Sequence, residues 1–511
     1  MPVARTQYVS NFRGINERLV LGTSLVETTS LDNVIVRDGV VRGRFGISKF
    51  DSISTVESDT PIIGHAAFYR AATQTTSLLR FSPTKVKVWN ATTHVWDDIT
   101  GTALNGVAAT RPQSVNGGEN DFLAFTNEGK DRPRKYTGTG NTAVLGGTPP
   151  YAKSIGYWKG FLALGNTSAA GTTFLPLNLV LSDDPDNVWE VCSTADGTVV
   201  TLVLNESPGE ILAMDVQGEA LLVYKSDAII EIRLSGNATR FSRYKLDFPL
   251  GIMAPLSLQS IPNFGHIFLA SDRNLYVTQG RRVTPLPPKV QKSLREVMTV
   301  AKAPFCRSSI DVDKEEYHLY YQRVGSSFMD GEIIFNYRTG EFSRELYPVE
   351  FNAAQGFRAS ATTAWRLVAS TSTLTYEIGL GTDDDGTTVS RFYDFDWSKL
   401  GMPGDGWLTG VELVFTRNRD LRVRVSVGLD KSSKFLYSKV FTLQGGDPDE
   451  VDVKVQWHPP SPLFGSWFRF RVEMYHDSST NVVELKEFNP EFIPVTQASE
   501  TLDKPMNALS A

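Results

Sequence analysis

Cysteine is almost missing from this chain: Cys192 and Cys306 are the only two in 511 residues, far apart and without a CxxC or CxxH neighbour. That spacing excludes a disulfide framework and a cysteine-based zinc site, and two buried free thiols are expected rather than one disulfide. Histidine is also sparse. His65, His94, His266, His318, His458 and His476 do not cluster, and none stands at metal-ligand spacing from another or from a cysteine. No GxSxG elbow, HExxH helix or P-loop occurs, so the sequence assigns no catalytic, cofactor-binding or metal residue, although dispersed residues can still converge in space. Long apolar runs are missing too. None approaches the ~18 residues of a membrane-spanning helix, and Met1 to Gln7 lack the apolar core of a signal peptide. The expectation is a soluble chain made in a cytoplasm, with no membrane span.

Neither sign of charge dominates. Lys and Arg total 51 against 57 Asp and Glu, a net charge of −6, so the chain as a whole is no electrostatic partner for nucleic acid. Charged residues make up 21% and apolar ones 41%, which suits a globular protein and argues against disorder. The length predicts two or three domains, or one large repeat domain with an appendage. What the chain does have is glycine, 41 residues, and phenylalanine, 29, which fits a β-rich fold with many tight turns.

The stretch from Pro208 to Leu286 shows the unit that recurs. Glu210 to Met214 runs into a Gln217-Gly218-Glu219 turn, then Leu221 to Tyr224, then a Lys225-Ser226-Asp227 turn. In the strand that follows, Ile230, Ile232 and Leu234 are expected on one face and Glu231 and Arg233 on the other. The pattern restarts at Leu256 and passes through His266 to Ala270 and Leu275 to Thr278, with Gly, Asn and Asp at the turns. This texture reads as blades of a β-propeller, in a number that the pattern does not fix. Upstream, Asp38-Gly39 between Val34-Ile35-Val36 and Val40-Val41 is a strong hairpin signal. Further strands follow at Ser77 to Phe81, Val86 to Trp89, Phe122 to Phe125 and Tyr157 to Leu164, then at Glu316 to Tyr321 and Glu332 to Tyr337.

One helix is predicted, from Lys289 to Val300 behind Pro287-Pro288, with Val290, Leu294, Val297 and Met298 as its apolar stripe. Gly401 to Gly406 marks a boundary by its Pro and Gly content. Beyond it, Val411 to Phe415, Leu421 to Val427, Val451 to Val455 and Trp467 to Val472 alternate apolar and polar residues, as a small sandwich or sheet would. The fold class is therefore all-β: a β-propeller with an additional C-terminal antiparallel β-sandwich-like domain. The expected division is an N-terminal hairpin segment over residues 1–50 that joins the propeller, the propeller over 51–395, the C-terminal domain over 396–495, and a tail over 496–511 ordered only by a partner.

Three local signals have a functional and a structural reading. Ser182 to Trp189 resembles the Asp-box hairpin of sialidase-like propellers through Ser182, Asp184 and Trp189, with Asp186 and Val188 in place of its glycine and threonine. In that motif Asp and Ser brace a turn and Trp packs between strands, which is a structural role. Asp383-Asp384-Asp385-Gly386 offers carboxylates to calcium but lacks the alternation and terminal glutamate of an EF-hand loop, so a solvated turn is preferred. The basic run Arg132-Pro133-Arg134-Lys135 and the pair Arg281-Arg282 read as surface loops, with a protein partner or phosphate as the alternative.

Several segments together resemble the β-propeller tail proteins of bacteriophages, the nozzle or tail tubular protein B group of short-tailed virions. The opening resembles theirs through Phe12, Gly14, Ile15 and Asn16, then Asn33, then Arg44 and Gly46; the segment from Trp158 to Trp189 resembles their element of a strand followed by Ser-Asp and, after five intervening residues, Trp, and the strands from Gly209 to Gly280 resemble their central blades. The resemblance covers residues 10 to 390 in pattern and implies a structural protein, not an enzyme. It implies a homo-hexameric ring below the portal, in contact with the head-to-tail adaptor and with tail fibres or spikes. Double-stranded DNA passes through such a lumen without specific binding, and the protein resides in the virion tail after synthesis in the bacterial cytoplasm. Two alternatives stand beside this: another propeller-bearing head–tail or baseplate protein, and a glycan-binding or glycan-cleaving propeller, which requires a converging pair of carboxylates.

Overall fold

The structure is a computed structural model that describes residues 4–19, 24–53, 59–117, 121–182, 191–192, 200–236, 240–381, 383–400, 402, 404–416, 421–443, 452–475 and 483–495. These fall into two compact units. One comprises residues 46–340 and 346–387, the other residues 1–45, 341–345 and 388–511.

The larger unit is built from one motif, best seen at its middle. Ile211–Gln217, Ala220–Lys225, Ile229–Leu234 and Phe241–Lys245 form a four-stranded antiparallel sheet in chain order. The first turn is tight because Gln217 pairs directly with Ala220 and Gly218 takes a positive φ of 57°. The predicted alternation in the third strand holds for Ile230 and Ile232, which are buried, but not for its neighbours. Leu234 is exposed and Glu231 is 2% exposed. Glu231 is buried because Arg233 and Arg281 each reach it at 2.6 Å, so the carboxylate is paired as it leaves water.

Four more four-stranded antiparallel sheets repeat the plan within residues 64–98, 113–144, 151–203 and 259–285, three strands within 353–378 begin another, and a further run of four strands spans Arg307–Asp311 to Phe342–Phe351. The first strands of the seven, beginning at Gly64, Gln113, Tyr151, Ile211, Gln259, Arg307 and Ala353, touch in cyclic succession, and the seventh returns to the first. That cyclic order is the arrangement of a β-propeller. Ile47–Lys49 closes it. This strand pairs with Thr375–Ile378, so the seventh sheet takes its outer strand from the start of the unit.

The core lies between sheets. Phe68, Leu79 and Phe81 of the first meet Leu123 and Phe125 of the second. Trp158, Phe161 and Leu181 of the third meet Met214, Leu221 and Ile232 of the fourth. Tyr320, Tyr347 and Phe351 of the sixth meet Ala354, Tyr376 and Ile47 of the seventh. Because most sheets are covered on both faces, strands such as Phe161–Ser168 and Met329–Asn336 are buried at every residue and read as continuous rather than alternating runs. Each large side chain buried in this way contributes about 1.5–3 kcal/mol.

The helix predicted over 289–300 is shorter and irregular. A 3₁₀ turn at Pro288–Val290 leads into a wide π-type turn at Ser293–Val297. Val290, Leu294 and Met298 are buried as the stripe requires, but Met298 bridges to Arg323 and the Val297 carbonyl accepts from the Val324 amide at 2.9 Å. Strand-like pairing to that hairpin therefore ends the helix at Val297.

The second unit contains two antiparallel sheets. One runs in the order Val34–Arg37, Val40–Gly43, Glu484–Pro494, Gly406–Thr416, Asp452–Trp457, and the other in the order Tyr437–Leu443, Leu421–Leu429, Phe468–Tyr475, Arg391–Ser398, Leu31–Asp32. Phe395 stacks on Phe488 at 3.9 Å and Phe470 meets the same ring edge-on at 4.9 Å, which joins the sheets. The Asp38-Gly39 hairpin forms as read, with Arg37 opposite Val40 and both loop residues at positive φ. The division expected at residues 50 and 395 is redrawn. Residues 1–45 group with 388–511, because Val41 and Arg42 pair with Leu485 and Glu484 and Arg5–Thr6 with Phe492–Glu491. The expected tail over 496–511 lies outside the described residues.

Candidate functional site

The histidines remain dispersed in space. His65 is half-buried with Nε2 2.7 Å from Ser370 Oγ. Burial, with Arg80 beside it, pushes its pKa down to about 3. His266 lies 2.9 Å from the Tyr224 hydroxyl and 2.9 Å from the Val216 carbonyl. Among the described residues no three His, Cys, Asp or Glu side chains group as metal ligands would, and His476 is not among them. Both cysteines are free and buried. Burial pushes the Cys306 thiol up to about 12, so it remains protonated at neutral pH.

The local signals resolve into structural roles where they are described. Arg134 is buried rather than on a surface loop, and it donates to the carbonyls of Thr100 at 3.2 Å and Ala103 at 3.2 Å. Arg132 donates to the Pro149 carbonyl and lies 5.1 Å from the Tyr151 ring. Arg281 is committed to Glu231 and to the Tyr244 ring at 4.2 Å. In the Asp383–Asp385 turn, Asp383 accepts from the Gly386 amide at 3.1 Å and Asp385 pairs with Lys49 at 3.5 Å. Of the Asp-box-like stretch only Ser182 is described.

The strongest electrostatic feature has no linear signature. In the sixth sheet His318 Nδ1 lies 2.7 Å from Glu332 and Nε2 lies 3.6 Å from Glu316, all three nearly without exposure. The Tyr347 hydroxyl donates to the other Glu332 oxygen at 2.5 Å. Burial alone disfavours an imidazolium here, but the two carboxylates outweigh it and push His318 up to about 10. The Glu332 carboxyl is held below its ordinary value, because His318 and the tyrosine hydroxyls overcome its burial. Enclosed by Tyr320, Tyr347 and neighbouring strands, this charged group fastens the sheet.

Among the described residues of the larger unit, two cavities stand out by volume. One of about 370 Å³ lies between the fourth and fifth sheets and is lined by Gln217, Asn263, His266 and Gln279. The other, of about 200 Å³, lies where chain linkers enter the first, second, sixth and seventh sheets, at Ile63, Thr110, Arg307 and Asn352. Side-chain amides link first strands of different sheets. Gln113 of the second sheet donates 2.9 Å to the Leu212 carbonyl of the fourth, and Gln259 of the fifth donates 3.0 Å to the Ser308 carbonyl of the sixth.

No family model matches the chain, and no curated protein matches it. Among solved structures, the extracellular domain of a hybrid two-component system from B. thetaiotaomicron is similar at a TM-score of 0.42 and 7% identity over 74% of this chain, which spans only 44% of that one. The WD40 domain of Neurospora crassa Pan2 is similar at a TM-score of 0.39 and 7% identity, over 66% of this chain and 95% of that one. Both likenesses are loose, and the β-propeller assignment rests on the sheet order and the cyclic contacts.

Proposed function

We propose that this chain is a structural component of a bacteriophage tail, a nozzle-type subunit of a ring below the portal and adaptor that continues the DNA channel and docks fibres or spikes. The observation that carries the reading is the N-terminal block, whose family-like residues are the ones that fix it in place. Phe12 has no exposure and meets Tyr393 at 5.6 Å and Phe395 at 5.9 Å. Gly14 has a φ of +75°, and a Cβ there would stand 2.2 Å from the Phe342 carbonyl oxygen. Asn33 donates to the Ser390 carbonyl at 2.8 Å and accepts from Arg44 Nε at 3.0 Å, while Arg44 also faces Glu345 at 3.6 Å. A segment specified this closely is what a family-defining opening would supply.

The architecture suits the role. A propeller is stiff because its sheets pack face to face and leave few free edges, and such a body repeats readily under rotational symmetry. The two sheets joined at Phe488 are the β-sandwich-like domain in this reading. The chain is a homo-hexamer in the virion, made in the host cytoplasm, and its function is mechanical rather than catalytic. Its acidic balance would keep DNA sliding if carboxylates line the ring's lumen; a ring structure with a basic lumen would contradict that part.

Native mass spectrometry of the purified chain, alone and with the neighbouring virion proteins, tests the proposal. A six-fold ring, alone or on addition of the adaptor, is expected. A persistent monomer that binds no virion protein and turns over a capsular polysaccharide would overturn it in favour of the glycan-cleaving alternative.

A further inference from the structure

We propose that the cavity of about 200 Å³ at the linker end of the propeller binds a small hydroxycarboxylate with an apolar body. The argument starts from a buried cation. Arg307, the first residue of the sixth sheet, is 9% exposed and donates to the Ile63 carbonyl. A guanidinium carries five N–H donors, yet among the described residues no carboxylate pairs with this one. Burial, and Arg111 nearby, push its pKa down to about 10, and no anion acts in the opposite direction. A buried charge left in that state is costly, and an incoming carboxylate would relieve it through a charge-assisted bidentate contact.

The surrounding acids are already engaged. Glu128 holds Arg111 at 3.1 Å, Asp330 holds Arg323 at 2.7 Å and Ser326 at 2.5 Å, and Glu350 accepts the amides of Ser327 at 3.0 Å and Phe328 at 3.1 Å. Of the residues in these contacts only Ser327 and Phe328 line the cavity, and its lining carries no carboxylate to answer the positive charge. Lys302 adds a second cation, 5.4 Å from the Phe305 ring.

A second, independent feature points to a hydroxyl. Asn352 is 9% exposed, its amide nitrogen donates to Ser372 Oγ at 3.2 Å, and its buried Oδ1 has no hydrogen-bond partner among the described residues. An acceptor in that state calls for a donor from the occupant. An ammonium donor would be repelled by Arg307 and Lys302, so a hydroxyl fits better. Phe305, Phe328 and Met329 complete the lining with apolar surface. The volume lies below the roughly 300 Å³ of common ligand clefts, which limits the occupant to a single ring or a branched chain.

Equilibrium dialysis and calorimetry of the full chain with mandelate test this, with phenylacetate lacking the hydroxyl and benzyl alcohol lacking the carboxylate as comparators. Saturable one-to-one binding of mandelate is expected, about tenfold weaker for benzyl alcohol and several-fold weaker for phenylacetate. Lys302→Gln and Phe328→Ala, both at exposed positions that leave the fold intact, should each weaken mandelate several-fold. No saturable binding at roughly millimolar mandelate, or binding unchanged in both variants, would overturn the site. Neither result depends on whether the chain forms a ring.

Discussion

Replacing His318 by Gln removes the single cation from a group of two buried carboxylates, and its cost follows from the geometry. The imidazolium lies 2.7 Å from Glu332 and 3.6 Å from Glu316, and its pKa stands at about 10 rather than the ordinary 6.5. At about 1.4 kcal/mol per pH unit, that difference corresponds to a contribution on the order of 5 kcal/mol, in line with the roughly 3–5 kcal/mol lost when one partner of a buried pair is removed. The pH dependence has a defined sign. A raised histidine contributes fully below pH 6.5 and loses its contribution as pH rises towards 10. Glu332, held low, contributes above the ordinary carboxylate pKa and loses its contribution in acid. The gap between wild type and His318→Gln should therefore be widest near pH 5–6 and shrink by about 1.4 kcal/mol per unit between pH 7 and 9. Hydrogen exchange on peptides spanning residues 316–336 reads this as local opening, without requiring a single unfolding transition from a two-unit chain. A gap under about 1 kcal/mol, or one that stays constant from pH 6 to 9, would refute the account of a charged, buried pair.

Two further outcomes follow from packing. Gly14→Ala forces a side chain into a left-handed backbone against the Phe342 carbonyl, and should cost at least about 2 kcal/mol, seen as faster proteolysis of the N-terminal block relative to wild type. Ile47→Asp places an unpaired charge at a site with no exposure in the closing strand, and should open the seventh sheet at a cost of about 3 kcal/mol or more, seen as increased hydrogen exchange over residues 353–378 while residues 151–245 remain protected.

The fold class was legible in the chain because hairpins are local. Asp38-Gly39 and Gln217-Gly218 announce their own turns, and strand pairing across them involves residues a few positions apart. What the strands pack against is a different matter. Glu231 and Arg134 look solvated by composition, yet both are buried, since their partners Arg281 and the carbonyls of Thr100 and Ala103 come from distant segments. The apolar stripe of the predicted helix was real, but periodicity carries no information about the Arg323 hairpin that ends the helix at Val297.

The sequence by itself thus determined the strand content, the tight turns and the absence of linear metal or nucleophile motifs, all of which depend on neighbours in the chain. Tertiary structure alone decided that seven sheets close in a cycle through Lys49 and Tyr376, that the first and last described strands share one unit through Arg5 and Phe492, and that Arg307 and Asn352 line one cavity. Each of these joins residues far apart in the chain, from 45 positions for Arg307 and Asn352 to several hundred for the other two, and only the packing of whole sheets brings them together.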